Sequence, residues 1–547
     1  MKTLRAGILL IAAVGVLNTH RAEAAFGLTT TTDYYTVDTG AGLVFSVRRT
    51  DPSNNTQAAG DISSLKFNGV EYQNQSKGSQ IGIGLGAASV SATTYGSSYI
   101  KITVNDGNGL THYYMARNGY PYVYMATYFT SEPSLGNVRY ITRIPYSLLP
   151  HGPAPSDLNG NTGAIESSDV FGMSDGTTRS KHYSNHRQMD WTYTGATGSG
   201  VGVWMVKGNT EGMSGGPFYR SLINQGDGTG GDQEIYELIN YGEAQTEANR
   251  TGILNIYTLV FTTGGNPPSV DTSWESNLGL TGYVSSSGRG TVAGVGIAGR
   301  DTSYQYVVGF ANSQAQYWTT ARSSDGYFSC GGMLPGTYTM TIYKGELAVW
   351  TGSATVTAGN TAIFHTITIT GDPSSTATIW RVGNWDGTPL EFKNGNLVTY
   401  MHPSDSRVSA WTGNYIVGYP SNDFPCYEWK DINQGIIIYF KLTAAQLATS
   451  HTLKIGLTGN YIGGRIQPSV NSWTASIPSA PSEPGTRSLT VGTYRENNVT
   501  YTFTVPSSAF QTDPNQWNIL KLNVISGSSG SGYLSPGVSY DCVELDN

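Results

Sequence analysis

Apolar and polar residues alternate along most of this 547-residue chain, which is the pattern of antiparallel β-strands that bury one face. Clear examples are residues 99–104 (YIKITV) and 122–128 (YVYMATY). No apolar spacing typical of a helix is sustained over a long segment. We therefore predict an all-β protein built of antiparallel sandwiches. The continuous apolar run Ile436–Phe440 predicts a strand that is buried on both faces.

Gly- and Pro-rich linkers divide the chain into three blocks after a short leader. Residues 1–24 combine early basic residues, an apolar run and small residues at the end, which predicts a secretory signal peptide. The first block, 25–272, carries most of the charged and histidine-containing motifs. The second, 273–375, is poor in charge and is predicted to be a small fibronectin III-like or immunoglobulin-like sandwich. The third, 376–547, has the size and strand density of a jelly roll, a shape common among sugar-binding modules.

The composition favours an extracellular protein that binds carbohydrate. Charged residues make up 13% of the chain, roughly half the usual 25%. The chain contains 69 Gly, 36 Tyr and 11 Trp, and the C–H faces of sugars pack on aromatic rings. Tyr-rich β-proteins without a sugar ligand are also common outside the cell, so composition alone leaves both interpretations open. The formal net charge of −7 provides no basic surplus for nucleic acid, and no segment predicts a membrane anchor.

The cysteines and histidines show no metal-ligand spacing. Cys330, Cys426 and Cys542 lie far apart, so at most one disulfide can form and hydrophobic cores are expected to stabilise the fold. Asp541 and Glu544 offer the hard oxygen ligands that Ca²⁺ prefers, which makes a structural Ca²⁺ a candidate. No cofactor is expected to be required for catalysis. His402 is interpreted as a loop histidine rather than a ligand contact.

Residues 178–187 (TRSKHYSNHR) form the densest titratable cluster of the chain. A lysine there could act as a general base only if desolvation or neighbouring cations lowered its pKa from ~10.4. Arg139 and Arg143 are four apart in an alternating segment, so both are expected on one face, where they could supply that field or bind a carboxylate. The alternative interpretation is a solvated basic loop with arginines paired to structural carboxylates. A second polar cluster, 236–247 (YELINYGEAQTE), offers carboxylates as acid, base or ion-pair partners.

Taken together, the motifs resemble those of the fungal-type rhamnogalacturonan lyases of polysaccharide lyase family 4, over essentially the whole chain after residue 24. The resemblance rests on motifs in the same order along the chain: AFGLTT (25–30), GIGLG (82–86), MATY (125–128), RSK (179–181), SGGPF (214–218), LPGTYTM (334–340), WDG (385–387), MHPSDSR (401–407) and DCVEL (541–545). It implies a large antiparallel β-super-sandwich, a fibronectin III-like domain and a jelly-roll carbohydrate-binding-like domain. It also implies β-elimination between rhamnose and galacturonic acid, which leaves a 4,5-unsaturated galacturonic acid end.

Such an elimination needs a base for the C5 proton, a cation beside the carboxylate and a proton donor for the departing C4 oxygen. By resemblance, Lys181 in the RSK motif is the base, and Arg139 and Arg143 bind the carboxylate. The residues expected to contact the substrate are Tyr236, which matches a tyrosine of the family, Tyr241 and His182.

One position departs from the family pattern. The second catalytic residue of the family is a histidine in a Gly-His-x-Gln-Thr-Glu context, and Glu243 occupies that position here. Glu243 could donate a proton if burial or like charges raised its pKa well above ~4.3. The alternative donors are Tyr241, Tyr236, His182, His186 and water. Leu238 replaces a further aromatic residue of the family.

Three hypotheses follow from these residues. The first is an active lyase on rhamnogalacturonan I of pectin. The second is a lyase whose specificity or pH range is altered by Glu243, and the third is a pectin-binding homologue without activity. A hydrolase with paired carboxylates is disfavoured, because the densest cationic cluster lies where elimination needs it. The protein is expected to be secreted and monomeric, with a pectic polysaccharide as its partner.

Overall fold

The computed structural model describes residues 25–52, 57–82, 84–131, 137–166, 168, 170–180, 187–219, 224–241, 250–398, 401–402, 404–408, 413–481, 498–526 and 530–547. Within these residues the regular secondary structure is almost entirely β-strand, as predicted. The predicted signal peptide, 1–24, lies outside them. No helix in the described part of the chain has the length and apolar content needed to cross a bilayer.

The first domain consists of antiparallel strands. In chain order they are β1 (Gly27–Thr30), β2 (Tyr34–Asp38), β3 (Leu43–Arg48), β4 (Ile62–Phe67), β5 (Val70–Glu71), β6 (Gln80–Ile81), β7 (Ser89–Tyr95), β8 (Tyr99–Asn105), β9 (Leu110–Arg117), β10 (Tyr122–Phe129), β11 (Asn137–Pro145), β12 (Asn161–Glu166), β13 (Val170–Met173), β14 (Thr178–Ser180), β15 (Tyr193–Gly198), β16 (Val201–Lys207), β17 (Asn224–Gly226), β18 (Asp232–Tyr241) and β19 (Leu254–Thr262).

Three sheets of this domain enclose one core. Their strand orders are β1-β2-β3-β4-β5, β15-β16-β19-β10-β9-β8-β7 and β17-β18-β11-β6. Each contributes fully buried side chains to the same cluster, among them Phe45, Tyr114 and Tyr140. A small fourth sheet has the order β12-β13-β14. The alternation of one buried and one outward face is what the sequence pattern predicts for a sandwich.

The outer face of the seven-stranded sheet is covered by the segment that follows β19. Trp274, in the 3₁₀-helix Ser273–Asn277, stacks on Tyr99 with ring centroids 4.7 Å apart and meets Tyr124 edge-on at 4.9 Å. Leu278 joins the same apolar cluster. The residues just beyond position 272 therefore pack with the first domain, and the central strands β9 and β10 of this sheet are buried on both faces.

The second domain is a small sandwich with a core of its own. Its strands are β20 (Gly290–Gly294), β21 (Ile297–Ala298), β22 (Tyr306–Ala311), β23 (Gln316–Thr320), β24 (Phe328–Met333), β25 (Gly336–Lys344), β26 (Leu347–Val356), β27 (Thr361–Phe364) and β28 (Ile367–Thr368). The sheets β24-β20-β27 and β23-β22-β25-β26 face each other, with β21 paired to β28. Trp385 and Cys542 of the third domain complete this core.

The third domain pairs two five-stranded sheets as a jelly roll. Its elements are β29 (Thr378–Gly383), α1 (Gly395–Val398), β30 (Asn414–Ile416), β31 (Tyr427–Trp429), β32 (Ile436–Phe440), α2 (Ala444–Leu447), β33 (His451–Tyr461), β34 (Arg465–Val470), β35 (Trp473–Thr474), β36 (Val499–Val505), β37 (Asn518–Ile525) and β38 (Gly537–Asp546). One sheet runs β29-β38-β33-β36 with β31 added to β38, and the other runs β30-β32-β37-β34-β35. The three cysteines are buried and unpaired, so no disulfide joins these elements.

The prediction that Ile436–Phe440 is buried on both faces is wrong. Ile436, Ile438 and Phe440 are buried, whereas Ile437 and Tyr439 are partly exposed. The strand is part of a two-layer sandwich, in which only one face of each sheet meets the core. Its outward face is apolar by composition, and this hides the period of two that the other strands show.

Candidate active site

The outer face of the β11–β18 pair carries the two arginines predicted from the sequence. The antiparallel register places three pairs of residues opposite each other: Arg139 and Leu238, Ile141 and Tyr236, and Arg143 and Glu234. A register shift occurs between Val138 and Arg139, before the arginines, so the alternation from Arg139 to Arg143 is uninterrupted. Both arginines therefore lie on one face, the face opposite to the core.

Arg143 is held by several contacts. Its Nε donates to Glu234 Oε1 at 3.0 Å, and one guanidinium nitrogen donates to the carbonyl oxygen of Gly78 at 2.8 Å. Its backbone N–H donates to Ser79 Oγ at 2.9 Å, and its carbonyl accepts from the N–H of Asn74 at 3.0 Å. The side chains of Arg143 and Glu234 are 14% and 12% exposed, so the pair is only partly screened by water. The position of this guanidinium is thereby defined.

Arg139 has a different environment. Its guanidinium carbon lies 5.6 Å from the centroid of the Tyr236 ring, within the range of a cation–π contact. Among the described residues it makes no ion pair with a carboxylate. The alternative interpretation, arginines paired with structural carboxylates, thus applies in part to Arg143, and within the described part of the chain Arg139 has no such pair. A partly exposed guanidinium without a carboxylate partner is suited to receive one from a ligand.

Glu234 connects Arg143 to Tyr236. Its second carboxylate oxygen accepts a hydrogen bond from the Tyr236 hydroxyl. Burial and the adjacent Glu234 charge raise the pKa of Tyr236 well above its usual value, so this tyrosine keeps its proton. The hydroxyl proton points at Glu234, which means that a transfer from Tyr236 to a substrate would first have to break this hydrogen bond.

An apolar floor lies between these polar groups. Ile141, Tyr219, Tyr236 and Leu238 form a cluster in which each side chain is at most 4% exposed. The cluster sits on the outer face of the sheet, away from the main core. Its packing fixes the Tyr236 ring, which in turn supports Arg139.

Several of the predicted site residues lie outside the described residues. These are Lys181, His182, His186 and Glu243, and the side chain of Tyr241 at the end of β18 is likewise not described. The described residues on both sides of 181–186 are nevertheless anchored. β14 ends at Ser180 and pairs with β13, while the N–H of Gln188 donates to the carbonyl of Tyr219 at 2.8 Å. Tyr219 belongs to the apolar floor, so residue 188 is tied to the arginine-bearing face.

Glu237, from the second polar cluster, points the other way. It is 1% exposed and lies on the core side of β18. Burial raises its pKa, and the charge of Lys207 opposes that shift. It therefore belongs to the interior of the sandwich, on the face opposite to Arg139 and Arg143.

The third-domain candidates are structural in their contacts. His402 is fully buried and its Nδ1 is 2.6 Å from Ser404 Oγ. Glu544 is paired with Arg381 at 2.6 Å and Lys454 at 3.3 Å, whereas Asp541 accepts from the N–H of Gly387 at 2.7 Å. The described residues contain no cluster of three or more His, Cys, Asp or Glu side chains that could hold a metal ion.

The structure adds two carboxylates that the sequence interpretation missed. Glu234 binds both Arg143 and Tyr236, and its position two residues before Tyr236 in an alternating strand was a usable signal. Asp405, in the third domain, binds Thr178 of β14. No sequence signal joins Asp405 to Thr178, because the two are 227 positions apart.

The arrangement suits the binding of an acidic sugar. Two guanidinium groups on one sheet face present planar donor sets to a carboxylate, and the aromatic and apolar floor between them can pack against the ring of a sugar. The face has the cationic and apolar character that an eliminating enzyme needs beside its base.

Family models match nearly the whole described chain in three consecutive parts. Residues 26–282 match the model described as rhamnogalacturonan lyase B, N-terminal. Residues 288–363 match polysaccharide lyase family 4, domain II, which is a fibronectin III-type model. Residues 378–545 match polysaccharide lyase family 4, domain III, a model of the carbohydrate-binding-module type.

Curated relatives are similar along their full length. Rhamnogalacturonate lyase A of Emericella nidulans is 42% identical over 531 residues, which cover 96% of each chain. Rhamnogalacturonate lyase A of Aspergillus aculeatus is 43% identical over 532 residues, 96% of this chain and 97% of its own. The probable rhamnogalacturonate lyase A of Aspergillus terreus is 43% identical over 523 residues, 94% of each chain.

Proposed function

The chain belongs to the rhamnogalacturonan lyases of polysaccharide lyase family 4, and we propose that it performs its elimination with Lys181 as the base and Arg139 and Arg143 as the carboxylate clamp. It is a polysaccharide lyase that acts on a pectic polysaccharide. The observation that carries the residue assignment is the pair of arginines on one outer face, above the Ile141–Tyr236 floor.

The proposed reaction begins with binding of the galacturonate carboxylate. Arg139, which has no carboxylate partner among the described residues, and Arg143 hold the carboxylate and offset its charge. This makes removal of the C5 proton feasible, because the electrons released at C5 are stabilised by the neutralised carboxylate. Neutral Lys181 takes the proton, the C5 electron pair forms the C4–C5 double bond, and the bond between C4 and the glycosidic oxygen breaks.

The departing rhamnose oxygen needs a proton, and we propose Glu243 as its donor. Glu243 holds the position of the family histidine. Tyr236 is less suited than Glu243, because its hydroxyl already donates to Glu234 and its pKa is raised by burial and by that carboxylate. We assign Tyr236 to substrate contact and to support of Arg139 instead, with Tyr241 and His182 as further substrate contacts.

Substitution of Lys181 tests the proposal. Lys181→Ala is expected to lower kcat on rhamnogalacturonan I by about 10²- to 10⁴-fold, the contribution typical of a positioned base. The measurement is the ultraviolet absorbance of the new double bond conjugated to the carboxylate. Lys441→Ala, which removes an exposed cation of the third domain, is the matched control and should keep full activity. Full activity in Lys181→Ala would exclude Lys181 as the base, and absence of product from the wild-type enzyme would contradict the activity itself.

We also propose that the protein is secreted and acts as a monomer outside the cell, without nucleic acid or membrane as a partner. The pattern of residues 1–24 and the pectic substrate of its relatives support secretion. Catalysis needs no metal in this scheme, because arginine side chains offset the charge. Direct metal analysis of the purified protein tests for the candidate structural Ca²⁺.

A further inference from the structure

A buried carboxylate of the third domain binds the strand that leads to Lys181. Asp405 is fully buried, and its Oδ2 accepts hydrogen bonds from the backbone N–H of Thr178 at 2.7 Å and from Thr178 Oγ1 at 3.0 Å. Thr178 is the first residue of β14. The contact therefore joins the jelly roll directly to the first domain.

Asp405 is kept ionised by its surroundings. Arg407 Nε donates to Oδ1 at 2.9 Å, and a second guanidinium nitrogen donates to Oδ2 at 2.8 Å. The Arg407 backbone N–H also donates to Oδ1, at 3.0 Å. Burial opposes ionisation, but the hydrogen bonds from Arg407 and from the Thr178 backbone N–H together hold the pKa of Asp405 below its usual value. A charged acceptor makes stronger hydrogen bonds than a neutral one, so the two hydrogen bonds that Thr178 donates to Asp405 are strong.

The loop that carries Asp405 is itself firmly placed. Val408 is 2% exposed in the core of the third domain, and its carbonyl accepts from the Asn394 side chain at 2.8 Å. The N–H of Ser406 donates to the carbonyl of Gly176 at 3.0 Å. Gly176 has a φ of +81°, and a Cβ there would lie 3.3 Å from Ser406 Cβ, so the turn before β14 closely approaches this loop. Contacts at Gly176 and at Thr178 thus join this loop to the start of β14 and to the turn before it.

β14 is a short strand at the edge of its sheet. It is three residues long and pairs with β13 on one edge, at the border of the small sheet β12-β13-β14. Ser180 ends the strand, and Lys181 is the next residue in the sequence. The bonds to Asp405 are made at the other end of the same short strand. A shift of β14 along or across the small sheet would therefore be passed on to the residue that follows Ser180.

We propose that Asp405 is a positioning residue of the active site, supplied by the third domain, which acts through Thr178 on the placement of Lys181. The inference rests on the proposed function, since it assumes that Lys181 is the base. It assigns to the carbohydrate-binding-like domain a part in the chemical step. Displacement of a catalytic group by about 1 Å can cost about 10²-fold in rate.

The test measures kcat and KM separately in variants of Asp405 and in variants of Thr178. Asp405→Ala and Thr178→Val are expected to lower kcat about 10- to 100-fold, whereas KM stays close to the wild-type value because Arg139 and Arg143 are untouched. Thr178→Ser keeps the hydroxyl and is expected to keep most of kcat. Asp405→Asn retains an oxygen acceptor but loses the charge, so its loss should be smaller than that of Asp405→Ala.

A control for general destabilisation comes from another buried contact of a carboxylate with a cation. Asp372 binds Lys344 at 2.8 Å, between β25 and the linker to the third domain, far along the chain from β14. Asp372→Asn should lower Tm and leave kcat unchanged. If Asp405→Ala lowers Tm without a loss of kcat beyond that of this control, the positioning role is refuted.

The remaining outcomes are also decisive. If Asp405→Ala fails to fold, the Thr178→Val variant tests the positioning role instead. A fall in its kcat supports the role of Asp405, and a wild-type kcat refutes it. If Lys181→Ala is inactive while the Asp405 and Thr178 variants keep full kcat, only this inference fails. If Lys181→Ala keeps full activity, the proposed base is wrong, and the failure belongs to the proposed function.

Discussion

At the scale of single residues, Arg139 and Arg143 share a strand and a face but not an environment. Arg143 is bonded to Glu234 and to the Gly78 carbonyl, whereas Arg139 rests on the Tyr236 ring. A fixed guanidinium has lost its conformational freedom before the substrate arrives, and this favours a defined carboxylate geometry. We therefore expect Arg139, rather than Arg143, to adjust its side chain to the ligand.

Replacement of each arginine by lysine tests this difference. A lysine at 143 cannot bond Glu234 and Gly78 together, so Arg143→Lys should lower both kcat/KM and the free energy of unfolding, the latter by about 1.5–3 kcal/mol. Arg139→Lys should lower kcat/KM with little change in stability, because its contact is a cation–π contact. Steady-state kinetics and urea unfolding provide the two measurements. Equal stability losses in both variants would contradict the distinction.

At the scale of elements, the short 3₁₀-helix Ser273–Asn277 buries an acid beside the aromatic group that anchors it. Glu275 is fully buried, and neither carboxylate oxygen has a hydrogen-bond partner among the described residues. Burial, and then the charge of Asp271, raises the pKa of Glu275 to about 8. In the unfolded chain the same group titrates near 4.5. Between these values the folded form binds a proton that the unfolded form has released.

Stability should therefore fall as the pH rises through this window. The folded state holds more protons than the unfolded state, so Glu275 lowers the free energy of unfolding by up to about 1.4 kcal/mol per pH unit between pH 4.5 and about 8. Glu275→Gln should flatten this part of the profile and stabilise the protein more at pH 8 than at pH 5. Asp325→Asn is the control, because Asp325 is exposed and its pKa is lowered to about 2 by Arg322. Urea unfolding at a series of pH values provides the measurement, and an unchanged slope in Glu275→Gln would refute the assignment.

At the scale of the whole molecule, the second domain is attached to both of its neighbours. Glu211 of the first domain accepts two hydrogen bonds from Arg289, at 2.7 and 2.8 Å, and one from the Tyr317 hydroxyl at 2.6 Å. On the other side, Trp385 and Cys542 of the third domain lie in the core of the second. Asp405 then joins the third domain back to the first. The three domains form a closed set of contacts rather than a string.

Loss of Glu211 should therefore destabilise more than one domain. Glu211 is 4% exposed, and its removal leaves Arg289 without its partner in a half-buried site. The loss is therefore expected to be smaller than the about 3–5 kcal/mol of a fully buried pair. Glu211→Ala is expected to lower Tm in calorimetry, with the first two domains affected together. Asp325→Ala, which breaks an exposed ion pair, should leave Tm nearly unchanged. A Tm equal to the wild-type value in Glu211→Ala would show that the contact does not couple the domains.

Much of the fold follows from local pattern. Residues 99–104 and 122–128 lie within β8 and β10, and the turn before residue 336 leads into β25. The common face of Arg139 and Arg143 also follows from the sequence. Successive side chains of a strand point to opposite faces, so residues separated by an even number of positions share a face. Ile436–Phe440 was the exception. Its outward-facing residues are also apolar, so the alternation of apolar and polar residues that identifies a half-buried strand is absent. The assignments of Lys181 and Glu243 came from motif resemblance, and they stay predictions.

By itself, the sequence determined the strands and the residue types on each face, because both follow from the local spacing of apolar and polar residues. It also determined the membership of polysaccharide lyase family 4, because that follows from the order of motifs along the chain. Only the tertiary structure decided that Glu234 would bind Arg143, 91 positions away, and that Asp405 would bind Thr178 across two domains. The physical reason is that a strand sets the direction of its side chains through its own backbone, whereas sheet register and domain packing select their partners. A carboxylate is recognisable in a sequence, but the cation or strand that it binds becomes known only when the sheets are assembled.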